Sequence, residues 1–169
     1  MTVSKKLVMI TGPPGAGKST TAAAVAAKFQ PVAEVYTDEI RHRIQPYELP
    51  WIEPEGKKQL RLGIESACAV ARIYLNNGFN VVMNDVLTLE PHEQYKDLLT
   101  EYGGVTVLLM PPLAAVLKRN ASREKNIPEA RIRLLYSEFN PDDFDIVIDN
   151  SEISVTDVVD CIFNFIDFK

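Results

Sequence analysis

The chain has 169 residues, of which 46% are hydrophobic and 24% charged, so it is long enough for one domain with a sizeable core. No apolar run approaches bilayer-spanning length and the N-terminus lacks a signal-peptide layout, so the expectation is no membrane association and a cytoplasmic location. The net charge of −5 argues against a chain coated in nucleic acid, and the isolated Cys68 and Cys161 argue against a disulfide scaffold or thiolate metal site.

Leu7–Ile10 is a short apolar run and reads as a buried strand. It stops at Gly12, where the run Gly12-Pro13-Pro14-Gly15-Ala16-Gly17-Lys18-Ser19-Thr20 leads into an alanine-rich helical stretch. Gly12, Gly17, Lys18 and Ser19 satisfy every fixed position of the phosphate-binding pattern G-x-x-x-x-G-K-[ST]. A chance match arises in on the order of one chain in a hundred of this length, with glycine at about 7% of residues. The order of strand, loop and helix sets chance aside. A loop that wraps a phosphate turns its N–H groups inward, using dihedrals that glycine reaches freely. The helix opening at Gly17 aims unsatisfied N–H groups and its dipole at the same anion. Lys18 then supplies a point charge to the outer phosphates of ATP, and the Ser19 hydroxyl can ligate the accompanying Mg2+.

Thr20–Phe29 should be helical, and Val32–Tyr36 forms a β-branched second strand. Asp38-Glu-Ile-Arg41 starts another helix, with Thr37 or Asp38 available as its cap. Asp38 and Arg41 are three apart and share a face, just beyond a strand's carboxyl end, the usual ligand edge of an open α/β sheet. Gln45–Glu55 contains Pro46, Pro50 and Pro54, which forbid a regular helix or central strand. Its Tyr47 and Trp51 either pack on the core or offer a stacking face to an acceptor.

Lys57–Asn77 is the longest helical pattern, with Leu60, Ile64, Cys68, Ala71 and Leu75 on one face and Gly78 at its end. Val81–Asn84 is a third strand ending at Asp85, where an acid commonly organises magnesium beside a phosphate loop. Pro91–Tyr102 should be helical, and Val105–Met110 is a strongly apolar fourth strand. A helix through Leu113, Val116 and Leu117 then enters a basic segment in which Arg119 and Arg123 are four apart. Lys118, Arg119, Arg123, Lys125, Arg131 and Arg133 cluster here, in a chain whose remainder from Glu138 is acidic. Such a segment suggests a local anion site. Pro128 suits a helix's first turn, and Ile132, Leu135 and Phe139 give its buried side. Asp145–Ile148 is a fifth strand. Ser154 with Asp157 begins a final helix whose core stripe is Val155, Val158, Val159, Ile162 and Ile166. Both cysteines are expected to pack in the core, and neither His42 nor His92 receives a role.

Five apolar strands alternating with helices predict an α/β fold, a parallel five-stranded sheet covered by helices on both faces. The phosphate loop, Thr-Asp-Glu-Ile-Arg, the strand ending in Asp85 and Lys-Arg-Asn-Ala-Ser-Arg together resemble small P-loop kinases of the polynucleotide 5′-hydroxyl kinase-like group. That group is related to kinases of sugars, antibiotics and nucleotides. The resemblance implies a three-layer P-loop kinase domain over residues 1–169, with an acceptor segment at about 38–56 and a small arginine-bearing lid at about 118–128. It implies that Lys18 and Ser19 hold the β/γ-phosphates and magnesium, and that Asp38 accepts the proton of the acceptor hydroxyl. Arg41 would bind an anionic group on the acceptor, and Arg123 with Arg119 would neutralise the phosphoryl group in flight. Asp85 would line the acceptor side or help order the metal shell. The bacteriophage members carry a separate phosphatase domain, for which this length leaves no room. The acceptor could be a nucleic-acid 5′-hydroxyl, a nucleotide or nucleoside, or a small metabolite or antibiotic. A P-loop ATPase switch acting with a protein partner is the reading from a different class.

Overall fold

The structure, a computed structural model, describes residues 6–122 and 126–168. Its strands are β1 (Leu7–Thr11), β2 (Val32–Tyr36), β3 (Asn80–Asn84), β4 (Val105–Leu109) and β5 (Ile146–Ile148). They form one parallel sheet in the order β2-β3-β1-β4-β5, with Val8 of β1 opposite Val82 on one side and Val105 on the other. The helices are α1 (Lys18–Lys28), α2 (Thr37–Arg41), α3 (Glu55–Asn76), α4 (Leu89–Glu101), α5 (Leu113–Ala121), α6 (Glu129–Ser137) and α7 (Val155–Phe168).

The alternation of a strand explains both layers. β1 is wholly buried, so its odd and even residues enter different cores. Val8 and Ile10 pack with Ala22 and Val25 of α1 and with Val158 and Ile162 of α7. Leu7 and Met9 pack with Ile64, Ala67 and Leu75 of α3 and with Tyr95 and Leu98 of α4. The expected five parallel strands with helices on both faces are therefore present. Among the described residues no helix is long and apolar enough to cross a membrane.

Local chemistry sets the remaining boundaries. Gly78 takes φ +104° and its N–H donates to Leu75 O, ending α3 as expected. Ser154 and Asp157 bond reciprocally at the start of α7, Ser154 N–H donating to the Asp157 carboxylate and Asp157 N–H to Ser154 Oγ.

Three expectations fail. Val155 is 41% exposed, because it opens α7 a turn before the stripe reaches the sheet. Cys161 is also exposed, beside the buried Ile162, while Cys68 is buried and burial pushes its thiol up to about 11. Neither Thr37 nor Asp38 caps α2 through its side chain; Tyr36 occupies the cap position and both side chains are engaged elsewhere.

The contrast between Ile162 and Val155 is testable. Ile162→Ala should cost about 2–5 kcal/mol by removing buried methyl groups. Val155→Ala should stay within about 0.5 kcal/mol. Urea midpoints of the two variants check this.

Candidate active site

The site begins where β1 runs out. Gly12, at φ +146°, passes so close to β4 that a Cβ would lie 2.3 Å from the Leu109 carbonyl oxygen, which leaves room for glycine alone. Ala16 N–H donates to Pro13 O at 3.0 Å, closing the turn, and α1 starts from Gly17 in the left-handed region. The Lys18 ammonium donates to Gly12 O at 2.9 Å and Pro13 O at 3.2 Å. A phosphate in the loop would compete with these neutral carbonyls and, being charged, would be the stronger partner.

The loop is fastened from outside by a residue that sequence reasoning did not single out. Asn150, just after β5, donates its Nδ2 to Ala16 O at 2.8 Å, while its own carbonyl accepts from Arg119 Nη2 at 2.9 Å. Arg119 lies in the last turn of α5 and is thereby held beside the phosphate loop. α5 ends at Ala121, and Arg123 lies outside the described residues.

β3 supplies the opposite wall. Leu87 N–H donates to Thr11 Oγ1 at 2.8 Å, pinning the segment after β3 to the end of β1. Asp85, 3% exposed, accepts from Val86 N–H at 2.8 Å and from Tyr95 Oη at 2.9 Å. Burial is the main reason its carboxyl is pushed up to about 6; the nearby Asp38 adds to the rise, and the two hydrogen bonds and Arg41 oppose it. Tyr95 is itself fully buried, and burial together with the Asp85 charge holds its phenol protonated. Since its proton goes to Asp85, Thr37 Oγ1 donates to the Tyr95 oxygen across 2.6 Å. Tyr95 thus links the end of β3 to the first residue of α2. The sequence carried no signal for it beyond its place in a helical pattern.

α2 presents the acid and the guanidinium. Arg41 Nη2 donates to Asp38 Oδ1 at 2.7 Å, with Arg41 buried and the Asp38 side chain half exposed. Space for Arg41 comes from α3, where a Cβ on Gly63 would stand 3.1 Å from Arg41 Cβ. The proline-bearing segment that follows has neither helix nor strand before Glu55, as expected, yet it is held in place. Gln59 donates to Pro46 O at 2.9 Å and accepts from Glu48 N–H at 2.8 Å. Arg131 of α6 lies over the Trp51 ring, 5.1 Å from its centroid.

One cleft of about 1530 Å³ joins these parts. Pro14, Gly15, Gly17, Lys18, Ser19 and Thr20 line it together with Asp38, Arg41, Asp85 and Arg119, and Tyr47 and Trp51 form part of its wall. Gly12, Pro13 and Ala16 do not line it; their carbonyls are taken by Lys18 and Asn150. Among the described residues no group of three or more His, Cys, Asp or Glu side chains could enclose a metal. That donor set still suits magnesium, which usually takes one or two protein ligands and completes its shell with phosphate oxygens and water.

Residues 7–141 match the AAA domain family. The chain belongs to that family. No curated protein sequence is significantly similar to this AAA-domain chain. Among solved structures it is similar to a chain of the Pnkp1/Rnl/Hen1 RNA repair complex, at 22% identity and TM-score 0.65 over 79% of this chain and 43% of that one. It spans less than half of that protein. It is also similar to shikimate kinase from Acinetobacter baumannii in complex with shikimate, at 21% identity and TM-score 0.71 over 98% of this chain and 94% of the other. The Mycobacterium tuberculosis APS kinase CysC in complex with AMPPNP and APS gives 17% identity and TM-score 0.74 over 97% and 98%. These likenesses show the P-loop kinase fold.

The Asp85 environment has a measurable consequence. Its carboxyl titrates from 3.8 in the unfolded chain but near 6 in the fold, so the folded chain keeps a proton that the unfolded chain has released. Stability should therefore fall as pH rises from 4 to 6, by about 2 kcal/mol from this group. Asp85→Asn should remove that part of the slope. Denaturant unfolding of both proteins in metal-free buffer across this range checks it.

Proposed function

We propose that this chain is an ATP-dependent kinase that transfers the γ-phosphate to an alcohol, a nucleic-acid 5′-hydroxyl or a nucleotide or nucleoside in the first instance. The observation that carries this reading is that Asp38 and Arg41 line the same cleft as Lys18 and Ser19. A loop that merely held a nucleotide would need no acid and guanidinium, fixed to each other at 2.7 Å, across the same cleft.

Each residue then has a role. The phosphate loop and Lys18 hold the β- and γ-phosphates, and Arg119, with Arg123, offsets charge on the group in transfer. Magnesium would be held by Ser19 Oγ together with phosphate oxygens, with Asp85 ordering its shell, and would supply neutralisation of the phosphate charge. Asp38 accepts the proton of the acceptor hydroxyl as the new oxygen–phosphorus bond forms and the bond between the γ-phosphorus and the β–γ bridging oxygen breaks; ADP leaves. Arg41 fixes the Asp38 carboxylate and faces an anionic part of the acceptor. Segment 38–56 serves as the acceptor wall and 118–128 as the lid, within one domain in the cytoplasm, where MgATP is available.

A second reading has support of its own. Shikimate kinase and APS kinase cover this chain almost end to end, which favours a small-metabolite acceptor over a polynucleotide. The net charge of −5 points the same way.

The test combines γ-labelled ATP with 5′-hydroxyl oligonucleotides, nucleosides, nucleotides and a panel of metabolite alcohols. Labelled product from one of these classes is expected, and Asp38→Asn should lower its formation by about 10²–10⁴ while ATP binding changes little. Steady ATP hydrolysis with no labelled acceptor, unchanged in Asp38→Asn, would instead indicate an ATPase switch.

A further inference from the structure

We propose that the phosphate acceptor is an alcohol bearing an oxyanion group, a carboxylate or a phosphate, and that Arg131 and Trp51 form the subsite that receives it. The inference rests on the kinase reading and extends it to the chemistry of the acceptor.

Arg131 is the third residue of α6, where the helix dipole is positive and a cation is disfavoured. The Trp51 ring offsets part of that cost, and among the described residues no ion pair offsets the rest. Among the described residues no carboxylate lies within ion-pair distance of Arg131, and the acid closest in sequence, Glu129, is taken by Arg133 at 2.7 Å. Arg131 Nε is buried without a hydrogen-bond partner, and its guanidinium is placed over the Trp51 ring. The aromatic face fixes the plane of the fork but satisfies none of its in-plane donors.

Two more donors in the same cleft share this condition. Arg41 Nε and Asn84 Nδ2 are buried without partners, in residues 7% and 6% exposed. Nearly all buried polar groups in folded proteins are paired, so three unpaired donors lining one cleft point to a ligand that brings acceptor oxygens. Charge separates their parts. The Asp38 carboxylate already offsets part of the Arg41 charge, so Arg41, with Asn84, can assist an anionic group of the acceptor but not neutralise it alone. Arg131 keeps its full charge, reinforced by the N-terminal end of α6, and a full anion is best placed there. Its planar fork matches a carboxylate or a phosphate, both of which offer paired oxygens.

Trp51 is the chain's one tryptophan, so its emission reports on Arg131 directly. With the phosphate loop saturated by Mg·AMPPNP, inorganic phosphate and acetate are titrated separately against sodium chloride at constant ionic strength. A saturable change in emission is expected with phosphate, acetate or both; which anion acts tells a phosphate-bearing acceptor from a carboxylate-bearing one. Arg131→Gln should weaken the apparent affinity by about tenfold or more, and Arg131→Lys, which keeps the charge without the fork, should fall between. Responses no different from chloride, or an Arg131→Gln protein that titrates as the wild type, would overturn the proposal. AMPPNP binding is measured separately by calorimetry. Its absence would count against the kinase reading, whereas AMPPNP binding with a flat anion titration would count against the subsite alone.

Discussion

The geometry of this protein depends on a backbone constraint at the end of β1, where the chain must leave a fully buried central strand and turn its amides toward an anion. The turn lies against β4, with the Leu109 carbonyl where a Gly12 Cβ would be, and it is held by contacts to the loop's own carbonyls. A sheet order with β1 in the middle then does the rest. β3 on one side brings Asp85, β4 on the other leads to α5 and Arg119, and β5 beyond it brings Asn150 back onto the loop. Residues from both halves of the sequence meet because parallel strands all deliver their carboxyl ends to one edge.

The acid-bearing wall shows a division of labour set by solvent. Asp38 is half exposed and paired with Arg41, whereas Asp85 is enclosed, bonded to Tyr95 and pushed up to about 6. Two carboxylates in one cleft thus stand in different surroundings, one open to solvent and paired with a guanidinium, the other enclosed and raised by burial. Tyr95 sets their spacing, since its oxygen touches both Asp85 and the residue preceding Asp38.

Much of this was legible in the sequence. The spacing of Gly12, Gly17, Lys18 and Ser19 fixes the loop's chemistry, and strand ends mark where Asp38 and Asp85 must lie, because a parallel sheet leaves few alternatives. What could not be read was contact across elements. Tyr95 is one aromatic residue among several in helical patterns until α4 is placed against β3. Asn150 is an unremarkable loop residue until β5 is placed beside β4 and Asn150 meets Ala16. Arg131 is visible as part of a basic cluster but not as the residue stacked on Trp51, eighty positions earlier. Periodicity misleads where the apolar pattern runs past the packed surface. Val155 and Cys161 belong to an apolar helix, but α7 presents only one stripe to the sheet and both fall off it.

In the kinase reading, a triphosphate held in the loop directs its terminal phosphorus at the Asp38–Arg41 pair. A crystal structure with Mg·AMPPNP and an acceptor alcohol tests this most directly. The expected result is the γ-phosphorus on the Asp38 side of the cleft, with the acceptor oxygen ~3 Å from the Asp38 carboxylate and ~3–3.5 Å from phosphorus. A γ-phosphate turned away from Asp38, with no room for an oxygen between them, would contradict it.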